Sequence, residues 1–138
     1  MTLQVELVVP DGEVWSGNAR MVIAKTLDGD LGVLTGHPAV LGIMADGGVV
    51  RILDAEDPAG STGDEIRAAV SSGFLAVSED RVSILARQAQ LGSRVDRASV
   101  QAQLEAALEA AGVIPAGEEE PAEVKYSRAL LRAAGDRS

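Results

Sequence analysis

The chain contains one histidine, His37, in the glycine-rich stretch GDLGVLTGHPAVLG at residues 29–42. An imidazole can serve as a general base or as a zinc ligand. A zinc site needs further ligands, and the chain has no second histidine and no cysteine. Asp28 and Asp30 match only the start of a calcium-binding loop, because its third oxygen ligand, its glycine and its closing glutamate are missing. We therefore expect no metal site and interpret these aspartates as turn residues.

Other catalytic patterns are also missing from the sequence. There is no G-x-S-x-G nucleophile elbow and neither of the phosphate-binding motifs G-x-x-x-x-G-K-[ST] and G-x-G-x-x-G. A serine nucleophile would have only His37 as its base. The sequence therefore predicts that the protein is not an enzyme. His37 either closes its turn through a side-chain hydrogen bond or lies in a projecting loop that contacts a partner.

The segments that surround this stretch alternate apolar and polar residues, as half-buried β-strands do. In LQVELVV, Leu3, Val5 and Leu7 share one face, and PDGE then turns the chain. Short runs of this kind continue to about residue 90, which predicts an antiparallel β-sandwich or barrel. We expect Gly73 to form the turn of a hairpin, and residues 54–64 to form an exposed polar loop.

After residue 90 the apolar spacing becomes helical. Asp96 or Ser93 is the expected N-cap of a first helix, whose apolar positions are Val100, Leu104, Leu108 and Ala111. A second helix is predicted to begin after Pro121, with Lys125, Arg128 and Arg132 on one stripe. The expected division is a β-sandwich domain at 1–90 and a helix–loop–helix region at 91–138.

The charge of the chain excludes several classes of partner. Its net charge of −9 opposes binding to nucleic acid or to anionic lipid. The N-terminus lacks the features of a signal peptide, and no stretch is apolar enough for a spanning helix, so any membrane association is expected to pass through another protein. The acidic EEEPAE at 118–123 precedes a basic tail at 125–138, which suggests that the tail has its own partner.

Three stretches resemble one family. GDLGVLTGHPAVLG is similar to the G-E-L-G-I-L-P-G-H-A-P-L-L signature of the epsilon subunit of F-type ATP synthases. VVPDGEVWSGNARMV at 8–22 resembles the family's opening hairpin, and SSGFLAVSEDRVSILA at 71–86 resembles its glycine hairpin. The resemblance covers about residues 3–111 and continues more loosely to the end.

The resemblance implies a flattened all-β sandwich of about ten short strands, followed by a C-terminal α-helical hairpin. It implies a non-catalytic rotor subunit of the central stalk, which binds the gamma subunit and the ring of c subunits and lies at the cytoplasmic face of the bacterial plasma membrane. The helical hairpin of the family can extend into the alpha/beta catalytic head and restrain ATP hydrolysis. The alternative is a freestanding β-sandwich module that binds a peptide or protein and carries a helical tail.

The resemblance also assigns contact residues. By position, Asp30, Gly36, His37 and Pro38 match the family's contact with the c ring, although Thr35 replaces the usual proline and Pro38 comes one position early. The resemblance assigns to the basic residues of the second helix a contact with an acidic segment of the beta subunits; here they are Lys125, Arg128 and Arg132. The alternative is a solvated helix face whose cations offset EEEPAE within the chain.

The family's nucleotide motif, a hydrophobe followed by D-x-x-R-A, is degenerate in this sequence. Val95 and Asp96 fit, but Ser99 and Val100 occupy the places of the arginine and the alanine. Arg97 lies two residues away from the arginine place, about 200° around a helix, and cannot substitute for it on the same face. We therefore expect no bound cofactor.

Overall fold

The computed structural model describes residues 2–56, 62–113 and 117–135. Eight strands precede a 3-10 turn at Gly92–Arg94 and two α-helices, α1 (Arg97–Ala111) and α2 (Ala122–Ala133). The strands are β1 (Leu3–Val9), β2 (Gly12–Ala19), β3 (Met21–Thr26), β4 (Gly29–Leu34), β5 (Val40–Met44), β6 (Gly48–Glu56), β7 (Thr62–Ser78) and β8 (Arg81–Leu91). The predicted class, a β-sandwich followed by a helical pair, is confirmed, with eight described strands instead of about ten.

Strand β7 connects the two layers of the sandwich. Its first half, up to Val70, pairs with β6, and its second half, from Gly73, pairs with β5. Strand β8 pairs with β7 along most of its length, and on its other side its first five residues pair with β1, in the one parallel pairing of the described strands. Further pairings of β2 with β1 and β6, and of β3 with β4, β5 and β6, complete the sandwich.

The predicted hairpin at Gly73 is wrong. Gly73 lies inside β7, opposite Met44 of β5 and Ala86 of β8, so the chain continues through it. The strand bends at this point, where Ser72 has a φ of 21°. A Cβ on Gly73 would overlap the carbonyl oxygen of Leu85, so the glycine is required by the close approach of β8. A glycine flanked by two strand-like runs gives the same sequence signal in a bend as in a turn.

The core of the sandwich follows from strict alternation along the strands. Leu3, Val5 and Leu7 of β1 are buried, while Gln4 and Glu6 between them are exposed. The buried cluster is almost entirely aliphatic and continues through β3, β6, β7 and β8. Branched aliphatic side chains suit a thin space between two pleated layers because they pack well on a sheet surface.

The helices form a second hydrophobic cluster on the outside of the sheet. Val100 and Leu104 of α1 pack with a larger set of buried residues from α2: Val124, Ala129, Leu130, Leu131 and Ala133. The sheet contributes Ala69 of β7 and, at the margin, Val49 of β6. Asp96 caps α1 by accepting a hydrogen bond from the Ser99 amide, as predicted, and α2 begins after Pro121, as predicted. Helix α2 therefore lies between the sheet and α1.

Helix α2 approaches the sandwich closely at two glycines. A Cβ on Gly47, in the turn between β5 and β6, would overlap the backbone of Lys125. A Cβ on Gly92 would overlap the carbonyl of Ala133 at the other end of the helix. Arg132 donates a hydrogen bond of 2.7 Å to the carbonyl oxygen of Gly47. Backbone proximity at both ends thus fixes the position of α2.

Two further predictions, the polar loop and the domain boundary, can be compared with the described residues only in part. Of the polar loop predicted at 54–64, residues 57–61 lie outside the described residues, and β6 and β7 extend into the remainder. The division at residue 90 remains a prediction; β8 ends at Leu91. Among the described helices, none is long and apolar enough to cross a membrane.

We expect Gly73→Ala to lower the free energy of unfolding by about 2–3 kcal/mol, because the methyl group forces β7 and β8 apart. Gly42→Ala is the matched control in β5, since its Cβ would lie 3.4 Å from Thr26 Cγ2, an ordinary contact. The control should change the free energy by less than about 1 kcal/mol. Urea denaturation measures both, and equal midpoints for the two variants would contradict the proposed role of Gly73.

We expect Gly92→Ala to release α2 while the sandwich stays folded, because the added methyl group displaces Ala133. Hydrogen–deuterium exchange should show protection falling by about tenfold or more at residues 122–133, with β1 and β8 unchanged. Gly42→Ala again serves as the control and should leave both regions protected. Unchanged protection of α2 in Gly92→Ala would show that the close approach does not hold the helix.

Candidate functional site

Asp30 lies in a strand rather than in a loop. The β3–β4 hairpin turns at Leu27 and Asp28, and Asp30 is the second residue of β4, opposite Lys25 of β3. Its side chain is exposed, and it lines a cleft of about 270 Å³ together with Lys25, Arg51, Arg67 and Arg132. This end of β4 therefore adjoins the C-terminal part of α2.

Glu65 lies between two arginines that line this cleft. Arg51 and Arg67 are directly opposite each other on β6 and β7, and both donate hydrogen bonds to the Glu65 carboxylate. Partial burial works to raise the pKa of Glu65, but the hydrogen bonds from Arg67 and Arg51 outweigh it and hold the pKa below its usual value. Glu65 thereby compensates the repulsion between two facing cations.

The turn at Gly36–Pro38 is held by three hydrogen bonds. The Gly36 amide donates to the Asp80 carboxylate at 2.7 Å, and the His37 amide donates to the Leu34 carbonyl at 3.1 Å. The imidazole Nδ1 of His37 lies 2.8 Å from the Pro38 carbonyl oxygen, which can only accept, so Nδ1 carries the proton. Gly36 has a φ of 82°, which favours glycine. His37 thus braces the turn, one of the two roles expected of it.

The structure does not bring Asp30 and His37 together. Four residue steps of extended strand separate Asp30 from Leu34, about 13 Å, and the His37 amide binds the Leu34 carbonyl at the far end of the strand. Strand β4 occupies the first half of the glycine-rich stretch, so Asp30 lies near the start of β4 and His37 lies beyond its end. Among the residues that the structure describes, no three carboxylates or imidazoles are grouped closely enough to hold a metal ion.

The three cations of α2 have partners within the chain. Lys125 Nζ lies 2.9 Å from Glu119 Oε2, and Arg128 binds both oxygens of Glu120 at 3.1 and 2.9 Å. Arg132 donates to the Gly47 carbonyl. In this conformation Lys125 and Arg128 therefore neutralise glutamates of the EEEPAE segment, as in the alternative raised by the sequence. A contact with a catalytic head would require these two pairs to open.

The degenerate nucleotide motif has a structural role here. The Asp96 carboxylate is engaged by the Ser99 amide at 3.2 Å, and Val95 and Val100 pack into the hydrophobic cluster of the helices. Val100 is buried at the place where the family motif has a small alanine. These residues stabilise the start of α1.

A row of exposed or partly exposed apolar side chains, which was not predicted from the sequence, crosses four strands. Ile43 of β5 faces Phe74 of β7, Phe74 faces Leu85 of β8, and Leu85 faces Val8 of β1. The exposed fractions are 53% for Ile43, 40% for Phe74 and 39% for Leu85. Leu41, two residues before Ile43 on the same face, is 66% exposed. We call Leu41, Ile43, Phe74, Leu85 and Val8 the apolar row.

The apolar row had a sequence signal. The runs VLGIM at 40–44, GFLAV at 73–77 and SILA at 83–86 carry apolar residues at successive positions, so both faces of each strand are apolar. One face is buried in the core through Met44, Leu75 and Ile84. None of the row belongs to the cluster under the helices, so the second face is available to a partner.

Comparison with known proteins gives a consistent result. A model of the beta-sandwich domain of the ATP synthase delta/epsilon chain matches residues 2–92. The ATP synthase epsilon chain of Thermobifida fusca is 45% identical over 134 residues, which are 96% of this chain and 91% of the relative. That of Frankia casuarinae is 50% identical over 91 residues, which are 66% of this chain and 99% of the relative.

Solved structures share the fold. A chain in the mitochondrial ATP synthase of Euglena gracilis superposes with a TM-score of 0.62 at 20% identity, covering 98% of this chain and 78% of that one. A chain in the central stalk and c ring of the Tetrahymena thermophila enzyme gives a TM-score of 0.50 at 17% identity, covering 99% and 92%. Because the family model spans the sandwich and a 45% identical relative spans nearly the whole chain, this chain belongs to the ATP synthase epsilon-chain family and is a non-catalytic subunit of that complex.

Proposed function

We propose that this subunit belongs to the central stalk, where its sandwich connects the gamma subunit to the c ring and its C-terminal helices restrain ATP hydrolysis. The apolar row is the observation that carries the proposal. It is a continuous apolar surface across four rigid strands, the kind of surface that marks a protein contact. The names of the curated relatives and the Tetrahymena central-stalk assembly support the same assignment.

We assign the apolar row to the gamma subunit. A stable contact needs a central patch of aliphatic and aromatic side chains from which water is excluded, and the row supplies Phe74 between Ile43 and Leu85. Strands β1, β7 and β8 are paired on both sides, and β5 is paired with β7 along its length and with β3 at Met44, so the surface does not have to be ordered on binding. A rotor subunit benefits from this rigidity because a stiff part transmits torque with little deformation.

We assign the two ends of β4 to the c ring. Asp30 offers an exposed carboxylate for charge-assisted hydrogen bonds with basic side chains. Gly36, His37 and Pro38 form a turn that Asp80 and Leu34 already brace, so this end also presents a preformed shape. Because the two ends are well separated, they would engage different parts of the ring. Through the ring, the subunit would lie at the cytoplasmic face of the bacterial plasma membrane.

We assign the cationic face of α2 to an acidic surface of the alpha/beta head. Lys125, Arg128 and Arg132 lie along one side of the helix, and Arg128 is exposed. Leaving the sandwich costs α2 its contacts with Ala69 and with the backbone at Gly47 and Gly92. The head would replace those contacts, so the position of the helix depends on which surface binds it more tightly.

The apolar row can be tested by a double substitution, Leu41→Thr with Ile43→Thr. Both side chains are more than half exposed, so the core is untouched, and threonine retains strand propensity. Losing the two apolar contacts should reduce co-purification of gamma by about tenfold or more. Val113→Thr is the control, because Val113 is 94% exposed and lies outside the row. Equal recovery of gamma with the double variant and with the control would remove the assignment.

The helices can be tested in the assembled enzyme. Deleting residues 121–138 should raise ATP hydrolysis and leave ATP synthesis unchanged, because the cationic face is lost while the sandwich keeps its rotor contacts. Arg128→Gln should raise hydrolysis in the same direction by a smaller amount. Arg94→Gln is its matched control, an exposed arginine with no carboxylate within 4 Å among the described residues. Hydrolysis that stays at the wild-type rate in both the deletion and Arg128→Gln would refute the restraining role.

A further inference from the structure

The acidic segment before α2 has a defined path. It follows a turn at Gly117 and ends at Pro121, whose carbonyl accepts hydrogen bonds from the amides of Val124 and Lys125. A proline disfavours helical backbone angles in the residue before it, so Glu120 stays outside the helix. The carboxylates of Glu119 and Glu120 therefore return alongside α2 instead of extending it.

The contacts of this segment are selective. Glu119 pairs with Lys125, and Glu120 pairs with Arg128 through two hydrogen bonds. The hydrogen bond from Lys125 holds the pKa of Glu119 below its usual value, which favours the ionised carboxylate. Glu118 carries the same charge but makes no ion pair with any described residue. The segment thus occupies two of the three cations of α2.

We propose that Glu119 and Glu120 compete, within the chain, with an acidic partner of α2 for binding to Lys125 and Arg128. We call these two glutamates the internal competitor. The inference rests on the proposed contact of this helix with an acidic surface. An ammonium or guanidinium that holds a carboxylate of its own chain must release it before it binds another. A competitor tethered a few residues away acts at an effective concentration of roughly millimolar. Since exposed pairs are individually weak, a partner that offers several carboxylates displaces it and one that offers a single carboxylate does not.

The internal competitor raises the concentration of this subunit that is needed to inhibit ATP hydrolysis. The docked helix is held by apolar packing and by close backbone contacts at Gly47 and Gly92, neither of which involves the glutamates. The ion pairs therefore weaken binding to the head without fixing the helix on the sandwich. Removing the two carboxylates should make the subunit a stronger inhibitor.

The first experiment measures the contact in the isolated full chain. Lys25 and Lys125 are its only lysines, so labelling by an amine reagent, read by mass spectrometry, has an internal reference. The ratio of Lys125 to Lys25 labelling should rise about 1.5- to fivefold in the double variant Glu119→Gln with Glu120→Gln, because the pair that shields Lys125 is lost. Glu118→Gln removes an equal charge and should leave the ratio unchanged. A ratio that responds equally in the variant and in the control overturns the proposal.

The second experiment measures competition in the complex. Each variant is titrated into the ATP synthase head and gamma depleted of this subunit, and ATP hydrolysis is followed. The double variant should reach half-inhibition at a concentration about three- to tenfold lower than Glu118→Gln. Half-inhibition at the same concentration overturns the internal competitor. If no variant restrains hydrolysis while the labelling ratio still rises, the restraining function fails and the internal contact stands.

Discussion

Strand β7 is shared by both layers of the sandwich, and the bend that allows this leaves no room for a side chain at Gly73. Before the bend the strand pairs with β6, and after it with β5, while β8 follows it on the other side. The cluster under the helices and the apolar row both use this strand, through Ala69 and Phe74. A displacement of β7 would therefore move the helix-binding surface and the apolar row together. The relative position of these two surfaces depends on β7 and on its bend at Gly73.

The helices are held by a different kind of interaction. Helix α2 buries its apolar residues between the sheet and α1, and its backbone approaches Gly47 and Gly92 too closely to admit a Cβ. Shape decides this contact, so it forms in one position or is lost. The ion pairs of Lys125 and Arg128 are exposed and local, and they respond to a competing charge by degrees. The position of α2 is thus determined by packing, whereas the availability of its cations is determined by separate ion pairs.

Much of the fold could be predicted from the sequence because its signals are local. Alternation placed Leu3, Val5 and Leu7 in the core, Asp96 capped the first helix, and Pro121 preceded the second. The bend at Gly73 could not be distinguished from a turn, since the cause is the approach of β8, a strand distant along the chain. For the same reason the sequence alone does not show that Asp30 and His37 lie near opposite ends of β4, which is set by the pairing of β4 with β3. The apolar row needed the register of four strands, which no single run reveals.

The central claim is that one rigid sandwich presents its apolar row to gamma and the ends of β4 to the c ring. A cryo-electron microscopy map of the assembled enzyme tests it most directly. The account predicts that Ile43, Phe74 and Leu85 are buried against gamma, and that Asp30 and His37 face the ring. A map in which the apolar row and both ends of β4 lie in open solvent would contradict it.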